Sequence, residues 1–450
     1  MSVHSDDRTT WSTKLERIGD RAIRCVDTVF NNIGHVINIE MLESIYQRLD
    51  RNKAVGIDRI TKERYGIQLE QNLKRLVTRI RRGTYQPKPA RITEIPKEDG
   101  STRPLAISCF EDKLVQHAVS MILNKIFEPL FLPCSYGFRP GLNCHDALRA
   151  LNRHTYGFGN GAVVEIDIRK YFNAIPHEVL HQCLRKKISD NRFLNLVDTL
   201  IKSPIIENDK TVINTGGCPQ GSIISPVLAN IYLHYVIDDW FNQIRQSHLQ
   251  GKAELVRYAD DMVFIFQRYD DAERFYHVLP NRLNKFGLEM HADKSQIIRS
   301  GHAAAVRAAS AGNRLSTYRF LGFTCYWGKA LSGYWRLKYT SRSDRFSAKL
   351  KGLRKFLRDN LAARDTGYIL KRVIQVLKGW LNYHAVSDNE RRVSAFVLRC
   401  ERLLFSWFNR RSQKRSMNWV KFKSLLDRIE FPKHWKVISM FPSSPKRAFT

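Results

Sequence analysis

Residues 255–266 read LVRYADDMVFIF. Two apolar, β-rich pieces meet there at adjacent aspartates, Asp260 and Asp261, and this pattern restricts the fold more than any other. It predicts a hairpin of two buried strands with the acids at its tip. Neighbouring carboxylates cannot both point into a core, and the plain reading is a solvated turn, where Asp is common. A second segment argues for more. AVVEID, 162–167, is another short apolar run ending in an acid, as a buried strand would. If that strand lies beside the hairpin, Asp167, Asp260 and Asp261 come together. Three carboxylates about 5 Å apart repel by roughly 3 kcal/mol per pair at an effective dielectric near 20. Divalent cations between them remove that repulsion, and hard oxygen ligands favour Mg²⁺. Two such ions can stabilise the attacking and leaving oxygens of an in-line phosphoryl displacement.

Periodicity supplies the surroundings. Helical spacing covers 12–50 with a break at 31–34, then 68–82, a basic amphipathic stretch closed by Gly83. ITEIPKEDGSTRPLAI, 92–107, predicts two strands around a turn at 98–100, with Lys97 and Arg103 on one side of it. Helices follow at 111–127 and 145–154. Pro176 opens one at 177–186, and another runs over 223–245 after a Gly/Pro loop. Strands are expected at 318–327 and 334–338. From Ser343 onward the chain reads as helical, with Lys and Arg interleaved among Leu, Phe and Trp. The expected class is an α+β body with an all-α basic appendix.

Charge names the kind of partner. The 450 residues, roughly three domains' worth, carry a formal +31. Residues 331–450 hold 28 Lys/Arg against 8 Asp/Glu. Such a surface suits a polyanion, nucleic acid above all. An anionic membrane is the other candidate, but no apolar run approaches the ~18 residues of a spanning helix. The start, MSVHSDDRTTW, is too polar for a signal peptide. The expectation is a cytoplasmic protein. No two of the eight cysteines have CxxC spacing, so reduced, mostly buried thiols are expected rather than structural zinc. His145 and His177 are read as helix-start or packing residues.

The motifs taken together resemble a known family. RYADD (257–261) resembles the YxDD catalytic motif of reverse transcriptases, and EIDIRKYFNAI (165–175) their first palm motif. GCPQGSIISPVLANIYLHYVID (217–238) is similar to the loop-helix block between them, and YRFLGF (318–323) to a later palm motif. NKAVGIDRIT (52–61), IPKEDGSTRPLAI (95–107), CSYGFRPGLNCHDAL (134–148) and GWLNYHAV (379–386) narrow the resemblance to bacterial group II intron-encoded reverse transcriptase/maturases. Two departures stand out. Arg59 follows Asp58 where Gly is usual, and Tyr383–His384 stand where many members have two tyrosines. The chain ends at SSPKRAFT without the Cys-paired HNH endonuclease region of many members, so second-strand cleavage by the protein itself is not expected.

The resemblance implies roles. Asp167, Asp260 and Asp261 are implied catalytic ligands of two Mg²⁺ ions, helped by the carbonyl of Ile168. Lys97, Arg103, Gln220 and Gly221 are implied to bind the incoming dNTP. Phe172 is implied to lie under its sugar and exclude ribose. Arg139, in SYGFRPG, is read as lining the template path or as bracing its loop. Lys371, Arg372, Arg391, Arg392, Arg410, Arg411, Lys414 and Arg415 are read as RNA contacts, while Phe405, Trp407 and Phe408 are read as core. The implied architecture is a right-hand polymerase: an N-terminal helical extension (1–55), fingers (56–160), a palm with an antiparallel sheet (161–330), a helical thumb or maturase domain (331–440) and a tail (441–450). The implied function is RNA-directed DNA synthesis together with binding of an intron RNA for splicing and retrohoming. The implied partners are RNA template, intron RNA, DNA primer or target and dNTPs. Three rivals stay open: a stand-alone relative in antiviral defence or DNA repair, an RNA-binding splicing factor with an idle polymerase site, and an RNA-dependent RNA polymerase, which Phe172 disfavours.

Overall fold

The computed structural model describes residues 10–96, 102–207, 210–212, 214, 216–362, 365–411 and 417–441. The predicted first hairpin is present. β1 (Ala90–Pro96) and β2 (Thr102–Ile107) pair antiparallel, from Arg91↔Ile107 to Pro96↔Thr102. Lys97 and the expected turn at 98–100 lie outside the described residues. AVVEID forms β3 (Gly161–Ile166). Two short strands the sequence did not reveal, β4 (Ile205–Glu207) and β5 (Lys210–Val212), extend the first sheet in the order β2-β1-β4-β5. LVRYADDMVFIF forms β6 (Ala253–Tyr258) and β7 (Asp261–Phe266), joined by Ala259 and Asp260. With β8 (Gln296–Ser300) they give a second sheet, ordered β6-β7-β3-β8. The AVVEID strand is thus next to the hairpin strand that begins at Asp261. A third sheet holds β9 (Tyr318–Phe320), β10 (Phe323–Lys329) and β11 (Trp335–Ser341) in the order β11-β10-β9. The single strand expected over 318–327 is two strands. Leu321 and Gly322 both have left-handed φ, 46° and 79°, which an extended strand cannot accommodate.

The chain divides into two compact units, residues 1–143, 166–262 and 273–296, and residues 144–165, 263–272 and 297–450. In the first unit, Thr10 and Asn38 cap the helices Trp11–Arg24 and Ile39–Arg48 by accepting from Thr13 N and Met41 N. Gly83, at φ 70°, closes the basic helix Leu69–Arg82 as expected. The helix Phe110–Phe127 is the core of this unit, with Leu114, Val115, Ala118, Val119, Ile122 and Leu123 all fully buried. Arg59, where the resemblance expects Gly, has φ 54°. The turn keeps its left-handed residue and fills it with an arginine. The predicted helix over 223–245 is interrupted. Ser225–Leu233 passes through a π-helical segment, His234–Asp238, into Asp239–Ser247.

The second unit ends in four helices, Ser343–Asp359, Thr366–His384, Glu390–Arg410 and Trp419–Arg428. Phe346, Leu353, Val373, Leu377, Trp380 and Phe396 are buried among them, with Trp380 and Phe396 stacked at 4.3 Å. Each such side chain contributes about 1.5–3 kcal/mol by leaving water. Trp407 is buried in the same core, and Phe405 and Phe408 pack against it, as read from the sequence. The mixed sheets and the helical C-terminal region give the α+β, right-hand polymerase class. All eight cysteines are unpaired, and five are buried. Among the described residues no helix is long and apolar enough to cross a membrane.

Candidate active site

The tip of the β6–β7 hairpin is held from beneath by one buried cation. Arg257 is fully buried and forms a fork onto Asp238, Nε to Oδ1 at 2.8 Å and Nη2 to Oδ2 at 2.6 Å. Its remaining protons go to Asn230 Oδ1 (3.0 Å), Ser135 Oγ (2.8 Å) and the carbonyl of Ala259 (3.1 Å). Ala259 has φ 56°, so the residue before Asp260 is in the left-handed region and its carbonyl is fixed by the guanidinium. The π-helical segment explains the reach. It widens the helix after Asn230 and brings Asp238 to the same arginine.

The CSYGFRPG segment locks onto the same strand. Arg257 N donates to Cys134 O and Tyr136 N to Arg257 O, both at 2.8 Å. Gly137 sits so close to the turn that a Cβ there would lie 2.4 Å from Ala259 N. Asn230 Nδ2 holds the Gly137 carbonyl at 2.7 Å. Arg139 turns inward. Its guanidinium reaches Glu128 and the carbonyls of Leu132 and Ser135, with 11 % of the side chain exposed. Of the two readings of Arg139, loop bracing is the one the structure supports, since its donors are engaged within the loop.

Asp167 follows β3. Its amide donates to Ser295 Oγ (3.2 Å), and its carbonyl accepts from His291 N (2.8 Å). Its carboxylate, 39 % exposed, faces Lys294 Nζ at 3.7 Å. The bridge Ile168↔Met290 uses the carbonyl of Asp167 and the amide of Arg169, not the carbonyl of Ile168. Asp260 senses this neighbourhood. Burial raises its pKa and the Asp167 charge raises it further, while its own backbone amide, Arg103 and Arg257 pull it back. Asp167, Arg103 and Asp260 are therefore electrostatic neighbours.

Asp261 is exposed at the start of β7, and among the described residues no three carboxylate, imidazole or thiolate groups stand close enough to hold a metal ion. Asp167 and Asp260 are the pair whose charges interact. The pair still suits a hard divalent cation. It supplies oxygen donors only, and the mutual repulsion that raises Asp260 is what a cation between them would remove.

The PQG loop is stitched to both sides of this pair. On one side, Cys218 N donates to Phe172 O (2.7 Å) and Gly217 N to Ile175 O (2.9 Å). His177 Nε2 lies 2.8 Å from Gly217 O, so this histidine, read only as packing, also shapes the loop. On the other side, Ala106 N of β2 donates to Gln220 O at 2.6 Å. Gly221, at φ 101°, is pressed against Ala106 O and Leu105, where a Cβ would come within 2.7 Å of the carbonyl. Leu105 and Arg103 are two apart on β2 and share a face. Phe172 is half-buried, edge-on to the fully buried Tyr171, whose hydroxyl donates to Ala229 O at 2.7 Å. Arg103, Asp167, Phe172, Gln220, Gly221 and Asp260 thus converge, through β2, the 167–177 segment, the PQG loop and the hairpin.

The basic residues of the C-terminal helices divide. Lys371, Arg372, Arg391 and Arg410 are exposed. Arg392 instead lies over the Phe346 ring at 4.3 Å and bonds Ser343 Oγ at 3.0 Å, so it serves the helix packing. Arg411 lies over Trp407 at 4.6 Å. Lys414 and Arg415 are outside the described residues. The sequence reading missed Ser135, Asn230, Asp238, Arg257 and Lys294. One signal was present: an arginine inside the apolar run LVRYADD cannot be buried without a partner.

A family model described as reverse transcriptase (RNA-dependent DNA polymerase) matches residues 95–325, just over half the chain. The chain belongs to the reverse transcriptase family. The matched segment contains every residue of the convergence above. Within the reverse transcriptases the chain is similar to the group II intron-encoded protein LtrA of Lactococcus lactis subsp. cremoris, 36% identical over 245 residues, covering 54% of this chain and 40% of LtrA. It is also similar to protein YkfC of Escherichia coli K12, 35% identical over 206 residues (45% of this chain, 53% of YkfC). Nuclear intron maturase 1 of Arabidopsis thaliana is 30% identical over 93 residues (21% of this chain, 13% of that protein). The chain spans two-fifths to about half of the length of LtrA and YkfC.

Proposed function

We propose that the chain is an RNA-directed DNA polymerase that also binds a group II intron RNA as a maturase, with fingers over 56–160, palm over 161–330 and thumb over 331–440. The observation that carries the catalytic half is the meeting of Asp167, Asp260 and Arg103 beside the PQG loop and Phe172. Asp167, Asp260 and the carbonyl of Ile168 are the groups that would hold Mg²⁺, with Asp261 joining from the strand end. Bound there, the metal supplies charge neutralisation for the attacking 3′-hydroxyl and the departing pyrophosphate. Arg103 presents a charge-assisted donor to the triphosphate. The fixed PQG loop orients the nucleotide, and Phe172 meets the sugar. Positioning and electrostatics are the main catalytic devices of such a site. The maturase half is supported by the exposed cations of the C-terminal helices and by the named intron relatives.

Extension of a DNA primer on an RNA template, with wild type against Asp260→Ala, tests the reading. The expected result is loss of cDNA synthesis by at least about a thousandfold, with RNA binding retained. Unchanged synthesis overturns the site assignment. Absence of synthesis in the wild type, with RNA binding intact, favours the splicing factor with an idle site. Incorporation of rNTP in preference to dNTP overturns the role of Phe172.

A further inference from the structure

Residues 294–343 contain nine lysines and arginines and no aspartate or glutamate. At the surface of this acid-free stretch stands a group of aromatic rings that the catalytic reading does not use. The His302 and Tyr334 rings stack at 4.1 Å and 11°. Tyr156 approaches Tyr334 at 6.1 Å, and the two tyrosines are 70 % and 41 % exposed. Together with Trp327 and Trp335 they line a shallow recess.

The rings are held in place rather than merely exposed. His302 Nδ1 lies 3.3 Å from Trp335 O, and Trp327 Nε1 donates to Ser300 Oγ at 3.0 Å. The turn after Tyr156 is tied to the helix His302–Ser310, because Ala303 N donates to Gly159 O at 2.7 Å. A Cβ on Gly301 would meet Phe158 O at 2.3 Å. A cation borders the rings: Lys329 lies 5.9 Å over Trp335. Arg153, three residues before Tyr156, and Arg307, on the His302 helix and bonded to Asn160, are also exposed. Arg336 and Lys338 are not available, since Asp388 engages both.

Exposed, preset rings bordered by a cation, with no acid nearby in sequence, match one ligand chemistry: unpaired bases that stack, on a phosphate backbone that cations hold. A duplex hides the faces of its bases. We infer that Tyr156, His302 and Tyr334 form a docking platform for a single-stranded segment of RNA. This extends the RNA-binding part of the proposed function and does not depend on polymerase chemistry.

Fluorescence anisotropy with the full chain tests it. The probes are an unstructured 12-nucleotide RNA, the DNA of the same sequence, and the RNA duplex. Tyr156→Ala/Tyr334→Ala is expected to bind the single strand about tenfold or more weakly, with duplex binding changed less than twofold, and the paired Tyr→Phe variant is expected to keep affinity. Tyr156→Ala alone, on an exposed turn, gives a partial loss without a burden on folding. A loss on RNA, with or without a loss on DNA, supports the platform, and a loss on DNA only overturns its assignment to RNA. Single-strand affinity within twofold of wild type in both the double variant and Tyr156→Ala overturns the inference, as does an equal loss on the duplex. Asp260→Ala protein is expected to show wild-type single-strand binding, which separates failure of the platform from failure of the polymerase reading.

Discussion

At the residue scale, the β6–β7 hairpin depends on a fully buried side chain. Arg257 and Asp238 form a fully buried ion pair, and the same guanidinium fixes the carbonyl of left-handed Ala259 just before Asp260. Removing one member strands a charge in the interior, which costs about 3–5 kcal/mol. Asp238→Asn is therefore expected to lower the unfolding free energy by that amount in urea titration. Arg257→Lys, which keeps the charge and loses the fork, is expected to lower kcat of primer extension more than it raises the KM for dNTP. An unchanged kcat would show that the turn holds its shape without the fork. The aspartates, Phe172 and the PQG loop were legible in the sequence because their chemistry is written in short local motifs. The Arg257 network was not, because its partners lie 19, 27 and 122 residues away.

At the scale of elements, the helices and the two hairpins follow the periodicity closely, and the departures have identifiable causes. β4 and β5 are three residues each, too short for an alternating pattern to register. The interruption of 223–245 by a π-helical turn changes no apolar spacing that a sequence displays, yet it is what brings Asp238 under the hairpin. In the C-terminal helices, His384 occupies the position where the family often has tyrosine. Its ring packs tilted against Trp380 at 3.9 Å and lies 3.1 Å from Ser341 Oγ. Burial, then the charges of Arg345 and His145, lower its pKa to about 3. The unfolded chain binds a proton near pH 6.5 and the folded chain does not, so this residue makes stability fall as pH drops through 6.5 toward 3. The expected loss by pH 4 is on the order of 3 kcal/mol. Thermal melts of wild type and His384→Tyr across this range check it. The variant is expected to show the flatter dependence, and parallel curves would contradict the assignment.

At the scale of the molecule, the +31 charge governs association. Its concentration toward the C-terminus was visible in composition, but not which cations are committed internally. Arg392 is half-buried over Phe346 and Arg411, though exposed, lies over Trp407, while Lys371, Arg372, Arg391 and Arg410 are exposed. Removing one cation from the phosphate backbone lowers the logarithmic salt slope by about 0.7 for a single strand. Replacing the four exposed residues by alanine is expected to reduce the slope for single-stranded RNA by roughly 3, measured by filter binding from low to moderate salt. Arg392→Ala should instead lower stability with little change in slope. A quadruple variant with the wild-type slope would move the RNA surface elsewhere.

The central claim is that Asp167 and Asp260 act on one divalent cation. Mn²⁺ binding followed by electron paramagnetic resonance tests it directly, using the full chain with a dideoxy-terminated primer, RNA template and the matching dNTP. The account predicts that Asp167→Asn and Asp260→Asn each weaken Mn²⁺ binding by about tenfold or more while the primer-template still binds. Wild-type Mn²⁺ affinity in either variant would contradict it.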